Sequence, residues 1–225
     1  MKKKVLQTSD GSTTLHLPKW KEQYHSKHGA IQEAKHVFIQ KGLMHTIDIL
    51  DLNKISILEI GLGTGLNALL TYIFVENAQK YSVEYTALEA YPVTIEDVQQ
   101  MNFADQLNID KLVYTNLHSL TWEEKHTISN LFSLTKLEMK FQNLKEKHEF
   151  NLIYFDAFGP RVQPELWEED IFELMYKALK VNGVLVTYSA KGSVRRNMQA
   201  AGFVVERIQG PPGKREMLRA TKKLQ

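Results

Sequence analysis

Cysteine is absent from the 225 residues. That excludes a disulfide scaffold, a thiolate zinc site, an iron–sulfur cluster and a cysteine nucleophile, and it leaves redox chemistry silent about compartment. No run of about 18 apolar residues occurs, so no segment spells a membrane-spanning helix. The opening Met-Lys-Lys-Lys-Val-Leu-Gln-Thr-Ser-Asp has the charge of a secretory signal but no apolar stretch behind it, and a cytoplasmic address is expected. Internal repeats and low-complexity linkers are also missing. What is present is ordinary for a globular chain: 43% hydrophobic and 24% charged residues, enough to bury a core without cross-links.

The net charge of +2 conceals an uneven distribution. Residues 1–45 carry +5, residues 46–188 carry −10 and residues 189–225 carry +7. Two basic ends on one face would attract a polyanion, whereas a lysine-rich solvated surface would need no partner. The acidic middle argues against a protein that coats nucleic acid without specificity.

Residues 1–30 are polar and rich in turn signals, with a short strand around Thr13–Leu17. Residues 30–47 have helical spacing. From residue 55 strands and helices alternate: a strand at 55–60, a glycine turn, a helix from Leu66 to about Asn77, and a strand at 83–88 ending at Glu89. A helix from Pro92 to about Met101 follows, then a third strand at 112–114 and a mostly helical stretch at 120–148. The chain continues with a strand at 150–155, a helix at 164–179, a strand at 183–188 and a short helix at 194–201. Strands at 203–208 and 216–220 are joined by Gly210-Pro211-Pro212-Gly213. Alternation implies βαβ units and a parallel sheet covered on both faces. The final two strands have no helix between them and should form an antiparallel hairpin. Residues 1–50 are expected as an arm and helix packed on the core, and residues 51–225 as the Rossmann-like α/β domain.

In such a sheet, ligands bind beyond the carboxyl ends of the strands. The first strand opens there into Glu59-Ile60-Gly61-Leu62-Gly63-Thr64-Gly65, where backbone can approach a ligand without side chains in the way. The dinucleotide fingerprint would require a glycine at position 66, which is Leu66. Spacing thus favours S-adenosylmethionine, which has no phosphate to cradle, over NAD. Glu89, at the end of the second strand, can accept hydrogen bonds from ribose hydroxyls of either ligand.

A second apolar strand delivers Asp156 to the same edge, and Gly159-Pro160 then turns the chain. Asp156 can bind an ammonium, position a substrate amine or take its proton; a turn aspartate is the plain alternative. Phe158 and Trp167 either wall a pocket for a flat base or belong to the core. Tyr24-His25-Ser26-Lys27-His28 could fold over the pocket. His25 and His28 lack a third ligand, so no metal is expected and both read as surface histidines, with His25 a remote candidate for an accessory base. Lys191, Arg195 and Arg196, and Lys214 and Arg215, lie on loops where phosphate contacts would be made.

Together these motifs resemble the S-adenosylmethionine-dependent tRNA methyltransferases of the MnmC-like family. The resemblance runs over residues 57–67, 87–92, 153–164 with Trp167, and 187–219. Its most specific parts are Asp156-Ala157-Phe158-Gly159-Pro160, Gly192 to Gly202 with Val194-Arg195-Arg196, and Gly213-Lys214-Arg215-Glu216-Met217-Leu218. Tyr24-His25-Ser26 with His28-Gly29-Ala30 is similar to the shorter members. The resemblance implies a mostly parallel seven-stranded methyltransferase sheet with an antiparallel C-terminal hairpin strand. It implies methyl transfer to the side-chain amine of 5-aminomethyl-2-thiouridine at the tRNA wobble position, with tRNA as partner and S-adenosylhomocysteine as the spent cofactor. By that resemblance Glu59, Gly61, Gly63, Gly65, Asn67, Glu89 and Asp156 belong to the cofactor site, Asp156 also faces the amine, and the five basic residues above meet tRNA. Bifunctional members add a flavin-dependent oxidase domain, for which this chain has no room, so no FAD is expected. After the expected third strand, where the bifunctional members have a Gly-Asp pair, this sequence reads Asn116-Leu117-His118, which leaves the adenine contacts unassigned.

Other readings differ in what they predict. A methyltransferase for a small-molecule or protein amine is a second reading, and a small-molecule enzyme would barely respond to salt, unlike a tRNA enzyme. A non-catalytic binding module would consume no cofactor. A dehydrogenase is disfavoured by Leu66.

Overall fold

The computed structural model describes residues 3–224. Three short strands, β1 (Lys4–Gln7), β2 (Thr13–Leu17) and β3 (Glu22–Gln23), form a small antiparallel sheet. A continuous helical segment follows: α1 (Ala30–Ala34), a π-helical stretch (Lys35–Met44) and α2 (His45–Leu50). Then come β4 (Lys54–Ile60), α3 (Leu66–Ala78), β5 (Ser82–Glu89), α4 (Ile95–Gln99), α5 (Phe103–Leu107), α6 (Lys111–Ser119), β6 (Lys125–Thr127) and β7 (Phe132–Glu138). The chain finishes with β8 (Phe150–Phe155), α7 (Glu169–Ala178), β9 (Leu179–Thr187), α8 (Gly192–Ala200), β10 (Val204–Gln209) and β11 (Glu216–Thr221).

The main sheet has eight strands in the order β10-β11-β9-β8-β4-β5-β7-β6. Its centre, from β9 to β7, is parallel. β11 pairs antiparallel with β9 and β10, which is the expected hairpin, and β6 adds an eighth, antiparallel edge strand to the seven expected. β4 has β5 on one side and β8 on the other, so the chain reverses its direction of growth between β4 and β8. A crevice opens at such a reversal.

Side-chain alternation gives the sheet two apolar faces. Ile55, Ile57, Tyr85, Leu152, Tyr154 and Val186 pack beneath α3 and the helical segment of residues 30–50. Leu58, Ile60, Ile153, Phe155, Leu185 and Leu218 pack against α7 and α8. The π-helical stretch lies close on the sheet: a Cβ added to Gly42 would sit 2.9 Å from Val186 Cγ2 and 3.3 Å from the Tyr154 ring. Gly42→Val should therefore destabilise the protein by about 1–3 kcal/mol through overpacking, measurable by urea unfolding.

Four expectations about elements need correction. Leu112-Val113-Tyr114 is not a strand but the first part of α6. Asp110 caps that helix by accepting from Leu112 N at 2.8 Å, and Tyr114 and Leu117, three apart, are its buried face. The third parallel strand is β7, within the stretch expected to be helical; its inward row is Phe132, Leu134 and Lys136, and the lysine disguises the apolar alternation. Asn116-Leu117-His118 therefore does not follow the third strand, and the residues that do, Lys140, Phe141 and Gln142, line the ligand cleft. Finally, the helix expected from Pro92 starts at Ile95, because Thr94 and Asp97 form a capping box.

Candidate active site

Three strand ends build the site. At the end of β4, Gly61 N and Leu62 N both donate to Leu88 O, at 3.0 and 3.1 Å, folding the glycine loop against β5. Gly61 has φ +92°, and a Cβ there would come within 3.0 Å of Asp156 O, so the exit of β8 can pass close only because the residue is glycine. Gly65, at φ +71°, starts α3, and a Cβ on it would meet His118 Nε2 at 2.7 Å. Thr64 O accepts from Tyr114 Oη at 2.7 Å and from His118 Nε2 at 2.9 Å, which fixes the loop from the α6 side and the proton of His118 on Nε2. Burial holds the His118 pKa down to about 4.

At the end of β5, the Glu89 carboxylate accepts from Gly63 N at 2.9 Å and from Tyr91 N at 2.9 Å. Both of its oxygens are thereby held at the cleft wall. At the end of β8, Asp156 shares one amide with Glu59. Asn67 Nδ2 donates to Glu59 Oε1 at 2.9 Å and to Asp156 Oδ2 at 2.8 Å. Both of its hydrogens are used. Burial raises the Asp156 pKa to about 8; the Asn67 hydrogen bond and nearby Lys214 oppose the shift, while Glu33 adds to it. Glu59 is fully buried behind Asn67, and burial followed by the Asp156 charge pushes its pKa well above the carboxylate range. Glu59 Oε2 has no hydrogen-bond partner. Desolvation thus favours a proton on Glu59.

Gly61, Gly63, Asn67, Glu89 and Asp156 border a cleft of about 1150 Å³, whereas Glu59 and Gly65 lie behind its wall. Its far wall comes from the N-terminal arm. Tyr24 lies over Gly63, with ring carbon Cδ1 3.2 Å from where a Cβ would be. His25 is not a surface histidine. Its Nδ1 faces Thr14 Oγ1 at 3.1 Å and its Nε2 faces Thr64 Oγ1 at 3.2 Å, and burial brings its pKa down to about 4. It ties the arm to the glycine loop. His28 is exposed and packs on Gly213, where an added Cβ would lie 2.6 Å from its ring.

Phe158 lines the cleft, whereas Trp167 is buried in the core and donates from Nε1 to Phe158 O at 2.8 Å. The basic residues divide. Lys191, Arg196 and Arg215 are exposed, and Arg195 is half-buried. Lys214 turns inward to Glu33 at 2.6 Å and over the Tyr188 ring at 4.3 Å, so its charge is partnered within the cleft wall. Trp20, Glu33, Tyr188 and the 140–142 segment carry no motif that marks them in the sequence. They come from separate elements, and only the fold assembles them.

Residues 117–223 match a family described as S-adenosyl-L-methionine-dependent methyltransferase. The crystal structure of MnmC2 from Aquifex aeolicus superposes on the whole chain and on 72% of its own length, with a TM-score of 0.76 and 25% identity. The chain is similar to MnmC-like S-adenosyl-L-methionine-dependent methyltransferases. The tRNA 5-methylaminomethyl-2-thiouridine biosynthesis bifunctional protein MnmC of Nitrosospira multiformis is 29% identical over 216 residues, covering 91% of this methyltransferase and 34% of the relative. This methyltransferase spans about a third of the length of the bifunctional relatives it matches. An uncharacterized protein of Methanocaldococcus jannaschii is 28% identical over 97% of this chain and 59% of its own. Spermidine synthase from Thermotoga maritima shares the fold, with a TM-score of 0.53 at 15% identity. Among the described residues, no group of three metal-ligating side chains occurs and no helix is long and apolar enough to cross a membrane.

Proposed function

We propose that this methyltransferase acts on tRNA in the cytoplasm, methylating the side-chain amine of 5-aminomethyl-2-thiouridine at the wobble position. The observation that carries this reading is Asp156, a carboxyl with a pKa raised to about 8 at a cleft wall between the glycine loop and aromatic side chains. Names of relatives supply the nucleoside; the carboxyl supplies the chemistry an amine acceptor needs.

The site fits S-adenosylmethionine. Gly61 and Gly63 keep the loop side of the cleft free of side chains, Glu89 lines the cleft as a carboxylate that would accept from ribose hydroxyls, and Asn67 and Asp156 line it where they would meet an amino-acid group. When bound, this cofactor supplies an activated methyl group on a sulfonium. The chain's own task is to hold the amine in line, shed water and leave its nitrogen neutral. An ammonium beside the Asp156 carboxylate forms an ion pair. Because burial has raised Asp156, shifting one proton from the ammonium to Asp156 costs little, and the product is a free amine beside a neutral acid. Gly61, Gly63, Asn67 and Glu89 would hold S-adenosylmethionine, which would supply its activated methyl group to that neutral nitrogen. The secondary amine leaves protonated, and Asp156 returns the borrowed proton to solvent.

Incubation with labelled S-adenosylmethionine and tRNA from cells unable to finish the wobble uridine should place label in 5-methylaminomethyl-2-thiouridine. Label in another nucleoside, or transfer to proteins or small amines instead, refutes the reading. Exposed Lys191, Arg196 and Arg215, with Arg195, are proposed to contact phosphates. Lys191, Arg196 and Arg215 changed together to Ala should weaken tRNA binding and lower the slope of log Kd against log salt by about two to three, with cofactor affinity unchanged. Lys214→Ala should instead act on the cleft, since that ammonium is paired with Glu33.

A further inference from the structure

The cleft is larger than one ligand requires. Sites for a single small molecule run to about 300–1,000 Å³, and this one reaches about 1150 Å³. Glycine loop, Glu89, Tyr91 and the 140–142 segment border one end, while Trp20, Phe158 and Tyr188 border the other. Tyr24 touches both: its ring lies over Gly63 and meets the Phe158 ring edge-on at 5.0 Å between centroids. Trp20 meets Phe158 edge-on at 5.6 Å. Among the described residues, none of these three rings is stacked face to face on another, and all three are half-buried along the cleft. These half-buried rings give this end of the cleft an aromatic wall against which a flat ligand can lie.

Charge at this end narrows the ligand further. Glu22 is paired with Arg161 at 2.8 Å and Glu33 with Lys214 at 2.6 Å, so two of the carboxylates that could bind a chain of amines are already occupied. Glu165 stands at the exposed rim. Asp156 remains, two residues from Phe158. One carboxyl beside aromatic faces matches a single amine on a planar ring better than it matches a polyamine.

Arg161 also donates to Trp20 O at 3.4 Å and to Lys21 O at 3.2 Å, fixing the backbone that carries Trp20 to the segment that follows Asp156. The arm is thus held in place from two sides, by Arg161 near Trp20 and by His25 at the glycine loop. We infer that the N-terminal arm supplies the acceptor seat, with Trp20 and Phe158 together forming the aromatic wall that the heterocycle bearing the amine lies against and Tyr24 dividing it from the cofactor end. This deepens the proposed function and rests on it for the identity of the heterocycle. Trp20 is its specificity residue, and an aliphatic amine without a ring is excluded because it presents no flat face to that wall.

The test compares wild type, Trp20→Ala and Trp20→Phe, each checked for an unchanged thermal melt. With under-modified tRNA, Trp20→Ala should raise KM at least tenfold, while Trp20→Phe recovers most of the loss. The Kd for S-adenosylmethionine by calorimetry should stay within twofold. An unchanged KM, or an equal loss of cofactor affinity, overturns the inference. A second measurement does not depend on turnover. Free 5-aminomethyl-2-thiouridine should quench tryptophan fluorescence saturably in wild type and not in Trp20→Phe, and 5-aminopentanol should quench neither. Absence of that difference also overturns it. If wild type quenches but transfers no methyl to tRNA, the seat stands and the tRNA reading fails.

Discussion

Asp156→Asn should lower methyl transfer by about a hundred-fold to ten-thousand-fold while making the protein more stable at alkaline pH. The introduced amide can still accept from Asn67 through its carbonyl, so geometry is kept and only proton uptake is lost. The stability effect follows from linkage. Asp156 has an ordinary pKa of 3.8, raised to about 8 in the folded protein. The folded state therefore holds this proton more tightly than the unfolded chain. The wild type gains from it fully below about pH 4, loses that gain as pH rises toward 8, and above 8 carries a desolvated charge. The amide side chain of the variant does not titrate and has no such dependence. After screening through the open side of the cleft, the variant should exceed wild type by roughly 1–3 kcal/mol at pH 9, with the gap closing by pH 4. Urea unfolding at pH 4, 7 and 9 measures it. Wild-type kcat/KM should rise with pH up to about 8 as the carboxylate forms. A variant that is no more stable at pH 9, or as active as wild type, removes Asp156 from its assigned role.

Gly63→Val should abolish cofactor binding. The residue sits at φ +51°, a region costly for a β-branched side chain, and its missing Cβ faces the cleft beneath Tyr24. A valine would push on the Tyr24 ring 3.2 Å away and fill cleft space that Gly63 keeps clear. It would also disturb Gly63 N, one of the two donors that orient Glu89. Calorimetry with S-adenosylmethionine should show at least a hundredfold loss, with a native circular dichroism spectrum. Retained affinity would place the cofactor elsewhere.

Much of this arrangement is legible in the residues, and the gaps have physical causes. Glycines at 61, 63 and 65 between an apolar strand and an apolar helix have one structural meaning, and apolar strands ending in Glu89 and Asp156 lead to the same edge. β7 escapes because Lys136 occupies an inward position. Its ammonium survives there by donating to His118 O and lying over the Trp122 ring, 4.9 Å from the centroid, contacts between distant parts of the chain. Leu112-Val113-Tyr114 misleads for the opposite reason, since Leu112 is 63% exposed and the apolar triplet lies only partly inward. Lys214 reads as a phosphate ligand because a loop lysine next to glycine is normally solvated; its partner Glu33 lies far away in sequence. Trp20 has no local pattern at all, since its value lies in meeting Phe158 across the fold.

The position of β11 has a consequence for how the molecule is made. This strand is the latest of the sheet in sequence, yet it lies inside it, between β9 and β10. Until Glu216–Thr221 has left the ribosome, β10 has no neighbour to join and the edge of β9 stands open. Lys222 then locks the insertion by donating from its buried ammonium to Tyr176 O at 2.7 Å and Leu179 O at 2.8 Å. A nascent chain stalled before residue 216 should therefore display a bare apolar border to chaperones, and closure of the sheet awaits these few residues.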